Sequence, residues 1–357
     1  MKYFVICGET SGDLHLSILL GQVKKIDKTA EFVGVCGEKS ESIGVKKLLD
    51  ITEINVMGLG QALMRYKVLK QKLIGFVDFI EKEKIKNVIL IDYGGFNLGM
   101  VKLLRERFKK EINIFYYIPP KLWVWGKKRI HKLKLVDHIM VIFPWEKEFY
   151  DAENTPSVYF GNPLVDEVFP RKTSGEKILL LPGSRRQELD MILPVMNKIV
   201  ANEQNREFVL KVANSRDEDR IRIAFEKYSN IEITVTKSLQ ELSAECKGAI
   251  ATSGTVILEL ALLYVPTVLI YKMSKMNEII FNALIRFPYL GLPNIALKKF
   301  LFPELIQKNC ESVKIMSAYD EIVSKDLSKD FDTLRDILGS KDIINQFAKY
   351  VVNESRS

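Results

Sequence analysis

Four short stretches combine residue types and spacings that could do chemistry, and each follows an apolar run. The run Ile178-Leu179-Leu180-Leu181 stops at Pro182-Gly183 and opens into Ser184-Arg185-Arg186-Gln187-Glu188. A continuous apolar run reads as a buried parallel strand, and a serine ahead of glutamine or glutamate reads as a helix N-cap. Free backbone N–H groups at such a start favour an anion. Arg185 or Arg186 adds a planar fork for two phosphate oxygens, which suits the diphosphate of a nucleotide-sugar. A surface arginine pair on an ordinary helix start fits the same residues.

Asp92 ends the run 87–91 and precedes Tyr93-Gly94-Gly95-Phe96-Asn97. A carboxylate at a strand's carboxyl end could take a proton from an attacking hydroxyl, or simply cap the turn. Ser253-Gly254-Thr255 sits between a strand and a helix, with Glu259 about one turn beyond Thr255, so both could meet a ligand's polar rim. Carboxylates bind ribose or sugar hydroxyls in this way; a half-exposed helix glutamate is the alternative. Gly8-Glu9-Thr10-Ser11-Gly12-Asp13 makes a tight turn after the first strand but has neither the ending of a P-loop nor the spacing of a dinucleotide fingerprint. Asp217-Glu218-Asp219 has DxD spacing, but acids in a first helical turn account for it. His15, His131 and His138 show no metal spacing, so no metal and no cofactor is expected.

The elements that must position these residues follow from composition and pattern. With 357 residues, 47% hydrophobic and 27% charged, the chain can build two ordinary domains with substantial cores. A net charge of +8 favours anionic partners. No zinc, RRM-like or helix-turn-helix signature supports nucleic acid, although a basic membrane- or nucleic-acid-binding protein is the competing class. Cys7, Cys36, Cys246 and Cys310 are scattered and read as reduced thiols of a cytoplasmic protein. The start is too short in apolar residues for a signal peptide. The stretch 249–271 contains Gly254, Glu259 and Pro266, so it reads as strand, turn, helix and strand rather than a membrane span.

Short β-rich runs alternate with helical stretches throughout, which predicts α/β architecture with parallel sheets covered on both faces. Strands are expected at 3–7, 32–36, 87–91, 112–118, 138–142 and 158–160, then at 177–181, 208–212, 231–235, 248–251 and 267–271. A polar stretch at 169–176 separates two Rossmann-like domains, 1–168 and 176–340, that would face a central cleft. The C-terminal stretch 341–357 is a candidate to pack back on the first domain. Apolar and basic residues alternate through 57–80, and Trp123-Val124-Trp125 precedes Lys127-Lys128-Arg129; both suit a membrane surface or, equally, core packing.

In this order and spacing, the blocks Gly8 to Asp13, Phe32-Val33-Gly34-Val35, Val56-Met57-Gly58-Leu59, Ile91-Asp92 with Phe96-Asn97, Trp123-Val124-Trp125, Phe143-Pro144-Trp145-Glu146, Leu181 to Arg185, Ser253 to Thr255 with Glu259, Pro288-Tyr289 with Leu292-Pro293-Asn294, and Pro303-Glu304-Leu305 with Gln307 resemble the lipid-A-disaccharide synthase family, inverting glycosyltransferases of GT-B type. The resemblance covers nearly the whole chain. It implies transfer of diacylglucosamine from UDP-2,3-diacylglucosamine to the 6-hydroxyl of 2,3-diacylglucosamine 1-phosphate, giving a β-1,6 disaccharide and UDP. It also implies a place on the cytoplasmic face of an anionic inner membrane. Whether the protein is a homodimer stays open.

On this resemblance Asp92 is the general base and Arg185 stabilises the departing diphosphate. Ser184, Arg185, Ser253, Gly254, Thr255, Glu259, Asn294, Glu304 and Gln307 line the UDP-sugar side. Ser11, Gly12, Asp13, Met57, Asn97, Trp123, Trp125 and Asn162 line the acceptor side. The family's usual Asp-x-Pro-Asp-Phe-Asn has Gly94-Gly95 in place of Pro-Asp. Its Ser-Pro-Ser-x-Trp-Ala-Trp-Arg reads Pro119-Pro120-Lys121-Leu122-Trp123-Val124-Trp125-Gly126, which loses the arginine, with Lys127 or Lys128 as candidate replacements. Gly161-Asn162-Pro163 stands where Gly-His-Pro is common. A UDP-sugar 2-epimerase, or a transferase for another acceptor, is the competing enzyme reading; Trp-x-Trp and Pro-Glu-Leu-x-Gln argue against the epimerase.

Overall fold

The computed structural model describes residues 1–56, 62–124, 126–170, 175–273 and 288–356. The chain divides into two compact units, Met1–Pro163 with Lys341–Ser357, and Leu164–Ser340. The first unit holds β1 (Lys2–Ile6), β2 (Glu31–Cys36), β3 (Lys46–Asp50), β4 (Asn87–Ile91), β5 (Asn113–Tyr117), β6 (His138–Val141) and β7 (Ser157–Tyr159), in the order β3-β2-β1-β4-β5-β6-β7. The second holds β8 (Lys177–Leu181), β9 (Phe208–Lys211), β10 (Ile231–Thr234), β11 (Cys246–Thr252), β12 (Thr267–Tyr271) and β13 (Glu304–Ile306), in the order β10-β9-β8-β11-β12-β13. The pairings are parallel in both sheets.

Burial explains which strands the apolar pattern reveals. Central β4 is buried along its whole length, so it reads as Asn-Val-Ile-Leu-Ile. The two strands not anticipated from sequence, β3 and β13, are sheet edges. β3 is Lys-Lys-Leu-Leu-Asp with no fully buried residue, and β13 is three half-buried residues. Charged or short edge strands discourage pairing with another chain, and the same property hides them from an apolar count. The stretch 249–271 resolves into the end of β11, the helix Thr255–Leu262 and β12. Among the described residues no helix is long and apolar enough to cross a membrane.

Strand order reverses once in each unit, between β1 and β4 and between β8 and β11. Ligands of open α/β sheets bind beyond the strand ends at such a reversal. The loops leaving β1 and β4 begin at Cys7 and Asp92, and those leaving β8 and β11 begin at Pro182 and Ser253. All four stretches singled out for chemistry therefore stand at a reversal.

The helix Ala62–Lys82 buries Leu73, Val77 and Ile80 and sets Phe76 and Phe79 against Phe4, while Val68 and Ile74 stay exposed. The helix Ile343–Glu354 buries Ile343, Ile344, Phe347, Ala348, Val351 and Val352 and packs on the helix Thr10–Ile26 of the first unit. Phe347 meets Tyr117 at 5.1 Å between ring centroids, and Asn113 Nδ2 donates to the Glu354 carbonyl at 3.2 Å. The four cysteines are buried and unbridged.

Candidate active site

Asp92 and Tyr93 both have φ of +46°, a left-handed pair that turns the chain sharply from β4 into the helix Gly94–Phe108. Each costs on the order of 1–3 kcal/mol unless its surroundings hold it. Three bonds do so. Asn97 Nδ2 donates to the carbonyls of Ile91 and Asp92, both at 2.9 Å, and Tyr116 Oη donates to the Asp92 carbonyl at 2.6 Å. Asn97 is fully buried and braces this turn. The Asp92 side chain stays half-buried. Burial pushes its carboxyl above the usual aspartate range, opposed by the Tyr93 N–H and the charge of Lys121. A basic, oriented carboxylate at a strand end is what proton abstraction needs.

Several residues expected on the acceptor side prove to hold loops. Asp13 is buried and accepts from the N–H groups of Gly37 (2.9 Å), Lys39 (3.0 Å) and Ser40 (3.3 Å), so its carboxylate caps the helix Glu38–Ser42. Asn162 is buried and donates to the Ile142 carbonyl at 3.2 Å. Trp123 donates through Nε1 to Glu146 Oε1 at 3.1 Å. Ser11 is exposed and Gly12 buried at the start of the helix Thr10–Ile26. Met57 and Trp125 lie outside the described residues. Of the two suggested replacements for the lost arginine, Lys127 is paired with Glu153 at 2.5 Å.

Glu146 was not singled out for a role, yet its carboxyl is pushed up to about 7 by burial, against the pull of Lys121, the Trp123 indole and the N–H groups of Ile142 and Phe143. Its place at the start of the helix Pro144–Ala152, amid apolar residues, was the available sequence signal. A raised folded value means that Glu146 favours folding below about 4.5, its ordinary value, and that this contribution is lost as pH rises through about 7. Across that window the urea-unfolding free energy should fall on the order of 3 kcal/mol more in the wild type than in Glu146→Gln. Equal pH slopes in the two proteins would contradict a neutral buried Glu146.

In the second unit the helix Arg186–Asn202 starts one residue later than its sequence suggests. Arg185, not Ser184, is the N-cap, because Glu188 reaches back. Its Oε2 accepts from the N–H groups of Ser184 and Arg185, both at 3.3 Å, and its Oε1 pairs with the Arg185 guanidinium at 3.2 Å. Gly183, at φ +101°, admits this carboxylate; a Cβ there would stand 2.7 Å from it. The anion seat read from sequence therefore already holds a carboxylate, while Ser184 and Arg185 remain exposed.

Beside it, Thr255 and Gly254 are exposed and Ser253 half-buried at the start of the helix Thr255–Leu262. Burial and the charge of Glu167 raise the Glu259 carboxyl, against Lys211, the last residue of β9. Burial lowers Lys211 in turn, opposed by Glu259 and Glu241, and its ammonium donates to the Lys237 carbonyl at 2.6 Å. Lys211, missed in the sequence, was legible only as a charge ending an apolar strand.

Asn294, Glu304 and Gln307 are engaged within the chain. Glu304 accepts from the N–H groups of Leu290 (2.9 Å) and Gly291 (2.8 Å), capping the helix Leu292–Leu297. Asn294, fully buried, donates to Glu304 at 2.8 Å and exchanges bonds with the Phe302 backbone. Gln307 Oε1 accepts from Met273 N at 2.8 Å, and its Nε2 donates to the Met273 carbonyl. Asp217-Glu218-Asp219 spans a short 3₁₀ turn and a first helical turn, where Glu218 pairs with Arg222. Among the described residues no group of three or more His, Cys, Asp or Glu side chains could hold a metal ion.

The profile of the lipid-A-disaccharide synthetase family matches residues 3–352. Lipid-A-disaccharide synthase 1 of Legionella pneumophila subsp. pneumophila, strain Philadelphia 1, is 31% identical over 98% of this chain and 92% of its own. Among solved structures, UDP-GlcNAc 2-epimerase from Neisseria meningitidis, bound to UDP-GlcNAc, superposes with a TM-score of 0.61 at 13% identity, covering 99% of each chain. MurG of Acinetobacter baumannii does so with a TM-score of 0.63 at 8% identity, again covering 99% of each. At these identities the structural likeness speaks for the shared fold, two Rossmann-like α/β units, and not for epimerisation or any other reaction.

Proposed function

The chain belongs to the lipid-A-disaccharide synthase family and is a glycosyltransferase that forms lipid A disaccharide from a UDP-sugar donor; from that premise we propose how its own residues carry the transfer, with UDP-2,3-diacylglucosamine as donor and 2,3-diacylglucosamine 1-phosphate as acceptor. The acceptor's 6-hydroxyl attacks the anomeric carbon of the donor as its proton passes to Asp92. The bond from that carbon to the diphosphate oxygen breaks on the opposite face, so configuration inverts and UDP leaves. The observation that carries this reading is the Asp92 turn, which presents a carboxylate of raised proton affinity at a strand reversal.

Arg185 meets the charge that builds on the diphosphate by turning from Glu188 to the phosphate oxygens, an exchange that its exposure permits. Thr255 and Glu259 take the donor's ribose or sugar hydroxyls. Asn97, Asp13 and Asn162 hold the loops of the acceptor side, while Glu304, Asn294 and Gln307 hold those of the donor side. The exposed Val68 and Ile74, beside Lys70, suit contact with an anionic membrane surface, which both acylated substrates would require.

The test is mass spectrometry of the product formed from the two substrates in neutral detergent with EDTA present. The reading predicts a β-1,6 disaccharide 1-phosphate and one UDP per linkage. No disaccharide from this pair would refute the substrate assignment, and loss of turnover on adding EDTA would transfer the leaving-group role from Arg185 to a cation.

A further inference from the structure

We propose that Lys121 binds the phosphate of the acceptor, placing a cationic subsite beside the base on the loop that leaves β5; this rests on the substrate reading above. β5 is the sheet neighbour of β4, so the loops that leave the two strands emerge side by side. The Lys121 loop is fixed on both flanks. Leu122 N donates to the Pro120 carbonyl at 2.7 Å, and Tyr150 Oη donates to the same oxygen at 3.1 Å. Leu122 is buried, and Trp123 is tied to Glu146. Pro120 also abuts the helix start after Asp92, since a Cβ on Gly94 would stand 2.5 Å from the proline ring.

Between these fixed points the Lys121 side chain is exposed, its ammonium 5.6 Å from the Phe143 ring centroid. Among the described residues no carboxylate reaches it to form an ion pair. Its charge nevertheless acts on both Asp92 and Glu146. Two of the neighbouring cations are otherwise placed: Lys127 pairs with Glu153, and the Arg129 guanidinium folds back to 2.6 Å from where a Cβ on Gly126 would stand.

The acceptor suits this arrangement because one sugar carries both a hydroxyl for Asp92 and a phosphate. Lysine is a compact charge with three donors on a flexible stem, so it can follow a phosphate on a ring whose hydroxyl is fixed elsewhere. Binding has a second effect. A phosphate that neutralises Lys121 removes the charge opposing proton uptake by Asp92, so the base strengthens when the acceptor is bound.

The experiment compares kcat/KM for 2,3-diacylglucosamine 1-phosphate and for 2,3-diacylglucosamine lacking the phosphate, in neutral detergent. Wild type should prefer the phosphorylated acceptor by about ten- to a hundredfold, the range of one charge-assisted contact. Lys121→Ala should use the two acceptors at similar rates, and Lys121→Arg should keep much of the preference. A preference intact in Lys121→Ala overturns the proposal, as does a wild type indifferent to the phosphate. Sedimentation with phosphatidylglycerol vesicles forms a second arm: weaker vesicle binding by Lys121→Ala with the acceptor preference intact would assign the ammonium to lipid headgroups and overturn the acceptor subsite. If wild type couples neither acceptor, the substrate reading itself fails, an outcome distinct from these.

Discussion

Replacing Asp92 by asparagine should lower kcat for disaccharide formation by about 10²–10⁴-fold, the usual contribution of a positioned base. The substitution isolates the proton transfer. Asparagine tolerates the left-handed backbone at φ +46° and keeps the carbonyl that Asn97 and Tyr116 hold. It also removes the desolvation that disfavours the ionised aspartate, so near neutral pH the variant should be at least as stable as wild type. In wild type the rate should fall as pH drops through the raised value of Asp92, placing the acid limb above the ordinary aspartate range near 3.9. Urea titration beside single-turnover rates checks both statements. Substantial activity in Asp92→Asn would remove Asp92 from the chemistry.

Arg185→Ala should lower kcat/KM for the UDP-sugar by about 10²-fold, comparable with losing one donor to a developing charge. Its effect on folding should be under about 1 kcal/mol, because the Glu188 pair is exposed on the arginine side and such pairs contribute little. The two outcomes together are diagnostic. A structural arginine would move the unfolding midpoint and spare the rate; a phosphate-binding arginine does the reverse. Arg185→Lys keeps the charge but not the planar fork, and should recover only part of the loss. Activity of Arg185→Ala within a factor of two of wild type would leave the departing diphosphate to other groups.

The sequence showed every central strand but missed two of the four edges, β3 and β13, for one reason. β4 and β8 are covered on both faces, so their bounds coincide with their apolar runs, whereas β3 sets only two leucines, one of them exposed, between charged residues and carries no comparable run. The chemistry-bearing turns were legible because a strand end, a glycine and a polar residue are local in sequence. What a polar residue does there was not local. Asn97 and Asp13 sit in ligand-like motifs but serve backbone groups up to 27 residues away. Glu188 belongs to the N-cap signature in sequence, and its reach to the Ser184 N–H, which puts a carboxylate where an anion was expected, is a matter of side-chain conformation that spacing does not give. Lys121 is brought beside Asp92 by the pairing of β5 with β4, which is likewise not local in sequence.

The helix Ile343–Glu354 belongs to the unit that begins at Met1, although the whole of Leu164–Ser340 lies between them in the chain. On the ribosome, the second unit is complete before the last piece of the first has been made. Helix Thr10–Ile26, Tyr117 and Phe160 must await Phe347 and its neighbours until all of Leu164–Ser340 has been translated. The unit translated first is therefore finished last, and its uncovered apolar face is where a nascent chain of this protein most needs protection from aggregation.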